Sequence, residues 1–156
     1  MIAVSNTSPL ILLDKINCLW ILGKLFEKVY IPQSVNKEWL RPGDYVTPEC
    51  VVVSELSNEA LSNAERLYQD LDRGEADAIA LFADTHRDIL LLDDLKARKY
   101  AKSIGLSVAG TVGILITAKR KGMISELKPL LEDLKKHRYY LSENIYNEAL
   151  ILANEI

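Results

Sequence analysis

The sequence predicts an α/β fold in which one parallel sheet is covered by helices on both faces. Two observations carry this. Short apolar runs such as Ile89-Leu90-Leu91-Leu92 are continuous rather than alternating, as strands buried on both faces are. These runs also alternate along the chain with longer segments of helical period. The 156 residues suffice for a sizeable core and are read as a single domain over 1–156, with no internal repeat, low-complexity segment or linker.

Ile2-Ala3-Val4-Ser5-Asn6 is read as the first strand. Thr7-Ser8-Pro9 then starts a helix, with a hydroxyl cap and proline at the first helical position. That helix is expected to run from about Pro9 to Leu25 with a bend near Asn17. Lys28–Ile31 is the second strand, and Pro32 opens a short helix to about Leu40. Arg41-Pro42-Gly43-Asp44 reads as a turn. Val51–Val53 is a candidate edge strand, followed by a helix from about Asn58 to Asp72 that Arg73-Gly74 breaks. The next helix starts at Glu75 and places Ala76, Ile79, Ala80 and Ala83 on one narrow face of small residues.

Ile89–Leu92 is expected as the central strand. A helix from Leu95 to Ile104 puts Ala97, Tyr100, Ala101 and Ile104 on one face and ends at Gly105. Leu106–Ala109 is a last short strand. Gly110-Thr111 leads into a helix to about Lys121 with Val112, Leu115 and Ile116 inward, closed by Gly122. Helices follow at about 126–136 and 142–154. The second carries Ile145, Ala149, Leu152 and Ile156 near one stripe, which covers the core or forms a dimer interface, the core being the expectation.

Composition narrows the function. No apolar run is long enough for a membrane span. The start, Met1-Ile2-Ala3-Val4-Ser5-Asn6, lacks a basic segment followed by an apolar one, so a cytoplasmic protein is expected. Cys18 and Cys50 stand far apart and are expected as buried thiols. His86 and His137 are isolated, so no zinc spacing exists and no Ser/His/Asp triad can be picked out. Net charge is −3 but unevenly spread. Residues 1–95 hold 8 Lys/Arg against 16 Asp/Glu, and residues 96–138 hold 11 against 3. An acidic first part and a basic later segment suit a metal pocket beside a phosphate-attracting surface, or else solvated helix faces.

The carboxylates sit where such a pocket would form. Parallel strands bring their carboxyl ends to one edge, and ligands bind just beyond it. There stand Asn6 after the first strand, Glu38 in the helix after the second, Glu75 and Asp77 at a helix start, and Asp93 and Asp94 after the Ile89–Leu92 strand. Carboxylates gathered in one place repel unless a cation neutralises them, and a hard ion with oxygen ligands, Mg²⁺ or Mn²⁺, is the natural partner. Each residue also has a reading that needs no ligand. Asn6 caps a helix, Glu38 lies on the surface, Glu75 sits near a helix dipole, and Asp77 is on the same turn but a different face. Asp93 and Asp94 form a cap and first turn, with Asp94 paired to Arg98.

The order Val4-Ser5-Asn6-Thr7-Ser8-Pro9-Leu10-Ile11, Ile31-Pro32-Gln33-Ser34-Val35-Asn36-Lys37-Glu38, Gly74-Glu75-Ala76-Asp77-Ala78-Ile79-Ala80-Leu81, Leu92-Asp93-Asp94 with Ala97-Arg98, and Gly110-Thr111-Val112-Gly113-Ile114-Leu115 resembles the PIN-domain superfamily. It looks most like the prokaryotic VapC-like subfamily, and the resemblance covers nearly the whole chain. It implies a three-layer α/β/α sandwich on a central parallel sheet of four to five strands. It also implies a Mg²⁺ or Mn²⁺ site with ribonuclease chemistry on RNA, often a toxin role with a cognate antitoxin, and a homodimer.

By position, Asn6, Glu38, Glu75 and Asp93 become the catalytic set. Glu75, Asp93, Asp94 and Asn6 hold the ion, and Glu38 orients or deprotonates the attacking water. Thr7 or Ser8 touches a phosphate at a helix N-terminus, while Arg98, Lys119, Arg120 and Lys121 hold the RNA backbone. One position departs from the pattern. PIN nucleases usually carry Asp at the end of the first strand, and here it is Asn6, which keeps one oxygen but removes a charge. Two other readings follow: a catalytically weak or inactive module that binds nucleic acid or protein, and a phosphotransfer domain with Asp93 as nucleophile.

Overall fold

Five parallel strands form the middle layer of the computed structural model, which describes residues 1–39 and 47–156. They are β1 (Ile2–Ser5), β2 (Lys28–Pro32), β3 (Val51–Ser54), β4 (Ile89–Leu91) and β5 (Val108–Ala109), in the order β3-β2-β1-β4-β5. In register, Val4 pairs with Tyr30 on one side and with Leu90 on the other. Side chains alternate between faces as a strand requires. Ala3, Val29, Ile31 and Leu91 enter one apolar cluster, and Val4, Leu90 and Leu92 enter another. Both faces are covered, which is why the runs are apolar throughout.

Helices α1 (Thr7–Lys15), α2 (Trp20–Leu25), α7 (Thr111–Arg120), α8 (Lys128–Lys136) and α9 (Glu143–Leu152) supply the first cluster. Helix α3 (Gln33–Glu38) adds Val35 to it. On the opposite face lie α5 (Arg73–Thr85) and α6 (Leu95–Ser103). Helix α4 (Asn58–Leu67) packs on α5 through Ala60, Ala64 and Ala80. The architecture is a three-layer α/β/α sandwich. Leu90 has no exposed surface, and Leu90→Ala is expected to cost about 3 kcal/mol in urea unfolding, from lost transfer energy plus a cavity.

Several expectations are corrected. The first helix begins at Thr7 with Asn6 in the capping position, leaving Pro9 in the first turn, where its missing N–H is no loss. It ends at Lys15, and a second helix follows rather than a bend. Asn17 takes φ 59°, Cys18 N donates to Leu13 O at 2.7 Å and Asn17 N to Asp14 O at 3.0 Å. That pairing is a Schellman stop, which asparagine tolerates. Arg73 and Gly74 do not break a helix. They lie in the first turn of α5, which Asp72 caps, and α4 ends earlier, at Leu67. The strand at Ile89 is not central, because β1 is. A continuous apolar run reports burial on both faces, which any inner strand has.

On α6, Ala97 and Ala101 are buried but Tyr100 and Ile104 reach the surface. On α7 the inward residues are Ile114, Leu115 and Ala118, with Val112 and Ile116 half-buried. On α9, Ala149 and Leu150 are buried, as is Ala153 just beyond it, while Ile145, Leu152 and Ile156 are exposed. The expected Ala97, Ala101, Leu115 and Ala149 are buried, and Val112 and Ile116 pack at the edge of the core. The thiols of Cys18, buried, and Cys50, half-buried, are free. The turn expected at Arg41–Asp44 and the helix end at Leu40 lie outside the described residues. Among the described residues no helix is long and apolar enough to cross a membrane.

The chain runs from β1 outward to β2 and β3, then returns to β4 on the other side of β1. The connections leaving β1 and β4 therefore diverge, and a crevice opens beyond their carboxyl ends.

Candidate active site

Asn6 stands at that crevice. Its backbone N–H donates to Leu91 O at 3.0 Å, tying the end of β1 to β4. Although it occupies the capping position of α1, its side chain makes no cap hydrogen bond. The residue is buried, and among the described residues Oδ1 has no partner. Next along the chain, Thr7 Oγ1 donates to Glu38 Oε2 at 3.0 Å and draws the end of α3 over the crevice. Gly74 completes the approach. A Cβ there would stand 2.8 Å from Glu38 Oε1 and 3.0 Å from Asn6 Oδ1, so glycine lets α5 come this close without displacing the Glu38 carboxylate.

Glu75 follows, 9 % exposed. It forms a capping box with Asp72: Glu75 N donates to Asp72 Oδ1 at 2.8 Å, and Asp72 N to Glu75 Oε1 at 3.2 Å. Burial and then the negative charge of Asp72 push the Glu75 carboxyl up to about 7, with Asp94 and Glu38 adding to the effect. These carboxylates thus share one field.

Asp93 closes the other side. Its Oδ1 accepts from Thr111 N at 2.8 Å and from the Tyr139 hydroxyl at 3.3 Å, and its Oδ2 from Thr111 Oγ1 at 2.7 Å. The residue thus links β4 to α7 and to the connection between α8 and α9. Burial pushes its carboxyl up, against the Thr111 and Tyr139 hydrogen bonds and the Arg98 charge. Burial and the Asp93 charge raise the Tyr139 hydroxyl in turn. Asp94 is exposed and caps α6, with Oδ2 accepting from Ala97 N at 2.9 Å. Ser8, Glu75, Asp93, Asp94, Arg138 and Tyr139 line a cleft of about 510 Å³.

The fold therefore brings Asn6 and Glu38 together, and Glu75, Asp93, Asp94 and Ser8 around one cleft. Asp77 faces elsewhere: its carboxylate accepts from Ser34 Oγ and from the Tyr68 hydroxyl. Arg98 is half-buried beside Asp93, not paired with Asp94. Lys119, Arg120 and Lys121 lie at the far end of α7, about 15 Å along its axis from Thr111. There Lys119 Nζ donates to Ser125 O at 2.7 Å and pairs with Glu155 at 3.3 Å, and Arg120 Nε donates to Leu152 O at 3.1 Å. Both tie α7 to the C-terminal end of the chain.

Sequence reasoning missed the parts played by Gly74, Thr111 and Tyr139. Gly74 carries a readable signal, a glycine directly before a buried acid. Tyr139 carries none, because 46 residues separate it from Asp93.

Among the described residues no three Asp, Glu, His or Cys side chains are gathered as ligands round one ion would be. The donor chemistry nonetheless suits a hard divalent cation. Asn6 offers an unpartnered amide oxygen, Glu38 Oε1 stands nearby, and Glu75 and Asp94 add negative charge. No curated protein and no solved structure gives a match. The model of a PIN-domain family matches residues 2–155, and the chain belongs to that family.

Proposed function

We propose that the protein is a metal-dependent endoribonuclease acting through Asn6, Glu38, Glu75 and Asp93. PIN domains are commonly nucleases and generally use divalent ions. The observation that carries the reading is Asn6 Oδ1, a buried acceptor unpartnered among the described residues. An unsatisfied buried acceptor costs about 1–3 kcal/mol, and a hard cation held jointly with carboxylates removes that cost.

Asn6, Glu75, Asp93 and Asp94 would hold Mg²⁺ or Mn²⁺, directly or through water. When bound, the ion polarises a phosphoryl oxygen and lowers the pKa of water. Glu38 Oε2 is engaged by Thr7, which leaves Oε1 to accept the proton of the attacking water. Asp93 is held in place by Thr111 and Tyr139. Ser8, exposed in the first turn of α1, donates to a phosphate oxygen. The toxin role, a cognate antitoxin and a homodimer rest on the family resemblance.

The test is incubation of the protein with single-stranded RNA and Mn²⁺, with and without chelator, beside Asn6→Asp. Chelator-sensitive cleavage by the wild type supports the reading, as does growth arrest on its induction in cells for the toxin role. Asn6 itself favours a second reading, since an amide brings no charge to the ion. Cleavage by Asn6→Asp with none by the wild type would establish a binding module whose site has decayed.

A further inference from the structure

A second cavity, of about 430 Å³, opens beside Glu38. Pro32, Leu56 and Leu61 form apolar wall, and Lys37, Arg73 and Glu55 the polar rim. We infer that this cavity is a nucleotide subsite, holding the nucleotide next to the scissile phosphate with Lys37 and Arg73 on its phosphate and Leu56 and Leu61 against its base. The inference rests on the nuclease reading and extends it to how substrate is held.

Position is the first argument. The cavity and the Asp93 cleft meet at the first turn of α5, where Arg73 lines one and Glu75 the other. A strand passing from one to the other crosses Gly74, where Glu38 Oε1 and Asn6 Oδ1 approach. Its phosphodiester lies over those oxygens, and its flanking nucleotides fall in the two hollows.

Construction is the second. Asp77 is 4 % exposed and braces the cavity from behind. Its carboxylate accepts from Ser34 Oγ on α3 and from the Tyr68 hydroxyl just after α4, both at 2.5 Å. Burial and then the Asp77 hydrogen bond push that hydroxyl up to about 12, so it remains a donor. The Arg73 guanidinium stacks over the Tyr68 ring, 5.7 Å from its centroid, and its Nε lies 3.8 Å from Asp77. The Arg73 side chain is still 71 % exposed, so N–H donors remain for a phosphate. A preset guanidinium loses little freedom on binding. Glu55 at the rim is an acceptor for a base N–H. A base enters such a hollow only after leaving its stack, which selects single strands.

The experiment is fluorescence anisotropy of a labelled single-stranded RNA octamer in chelator, where no cleavage intervenes. Lys37→Gln/Arg73→Gln is expected to weaken binding at least ~10-fold and to flatten the log–log salt slope by about 0.7, the share of the one phosphate they hold. Lys24→Gln, exposed in α2 just before the start of β2 and so at the opposite edge of the sheet, should change neither. A fully paired duplex of equal length should bind at least ~10-fold more weakly than the single strand. Equal affinity in wild type and double variant would overturn the subsite and leave the nuclease reading standing. Equal binding of duplex and single strand would overturn the base-holding role. No binding of RNA by the wild type would overturn the subsite and the nuclease reading together. Circular dichroism melting of each variant confirms folding, and both side chains are exposed.

Discussion

Glu75→Gln is expected to lower Mn²⁺-dependent RNA cleavage at least ~100-fold and, in metal-free buffer at pH 8, to raise the stability of the fold. The carboxyl is raised from 4.5 to about 7 in the folded protein, chiefly by burial and by Asp72. Between those values the folded state keeps a proton that the unfolded chain has released. Stability therefore falls as pH rises from about 4.5 to about 7, and the penalty is complete above the folded value, at up to about 3 kcal/mol. Glutamine keeps the shape, and its Oε1 still accepts from Asp72 N, so the capping box survives. It cannot ionise, so this part of the pH dependence disappears. Urea unfolding at pH 4.5 and pH 8 should show the wild type losing more stability than the variant, in which the raised Asp93 carboxyl still opposes the rise in pH. Mn²⁺ should restore wild-type stability at pH 8 and leave the variant unchanged, because an ion binding only the folded state adds its binding energy. Parallel pH curves for the two proteins would mean that Glu75 is not held against its charge. Such a residue weakens the empty fold for the sake of its site.

The part of this site legible in sequence was the part carried by local pattern. The run Ile89–Leu92 announces a buried strand, and Asp93-Asp94 stands at its end, as expected of a ligand edge. Which strand lies in the middle is a matter of pairing, and the run says nothing about pairing. The start of α5 was legible but misread. Asp72 and Glu75 carry the spacing of a capping box, yet Arg73-Gly74 between them reads as a break when glycine is weighed by propensity alone. That glycine serves tertiary structure, the approach of α5 to Asn6 and Glu38. The basic segment misleads for a related reason. Charge counted along a helix does not say which end faces the crevice, and Lys119 and Arg120 bind the C-terminal end of the chain instead. Asp77 is read on the same turn as Glu75 but on a different face, and the structure gives that face its partners. On a helix, two residues is more than half a turn, and Asp77 serves the neighbouring cavity.

Gly74→Ala should separate the site from the fold most sharply, with cleavage down at least ~10-fold and stability nearly unchanged. Alanine in a helix is favoured over glycine by about 0.5–1 kcal/mol. Its Cβ would stand 2.8 Å from Glu38 Oε1, closer than such atoms pack, and 3.0 Å from Asn6 Oδ1, a tight contact. Glu38 is exposed and can swing away, giving up the hydrogen bond from Thr7 Oγ1, worth about 1 kcal/mol. Asn6 is buried, with its backbone tied to Leu91 O, but its unpartnered Oδ1 needs to give by only a few tenths of an ångström. The gain in helix propensity and the lost hydrogen bond nearly cancel, so the melting temperature should move by only a few degrees. The two oxygens assigned to the ion and to the attacking water are driven apart. Calorimetric titration with Mn²⁺ should show weaker binding alongside the loss of cleavage. Full activity in Gly74→Ala would mean that the close approach of Asn6 and Glu38 is a packing detail, and the reaction would then have to be assigned to the Glu75–Asp93 side of the crevice alone.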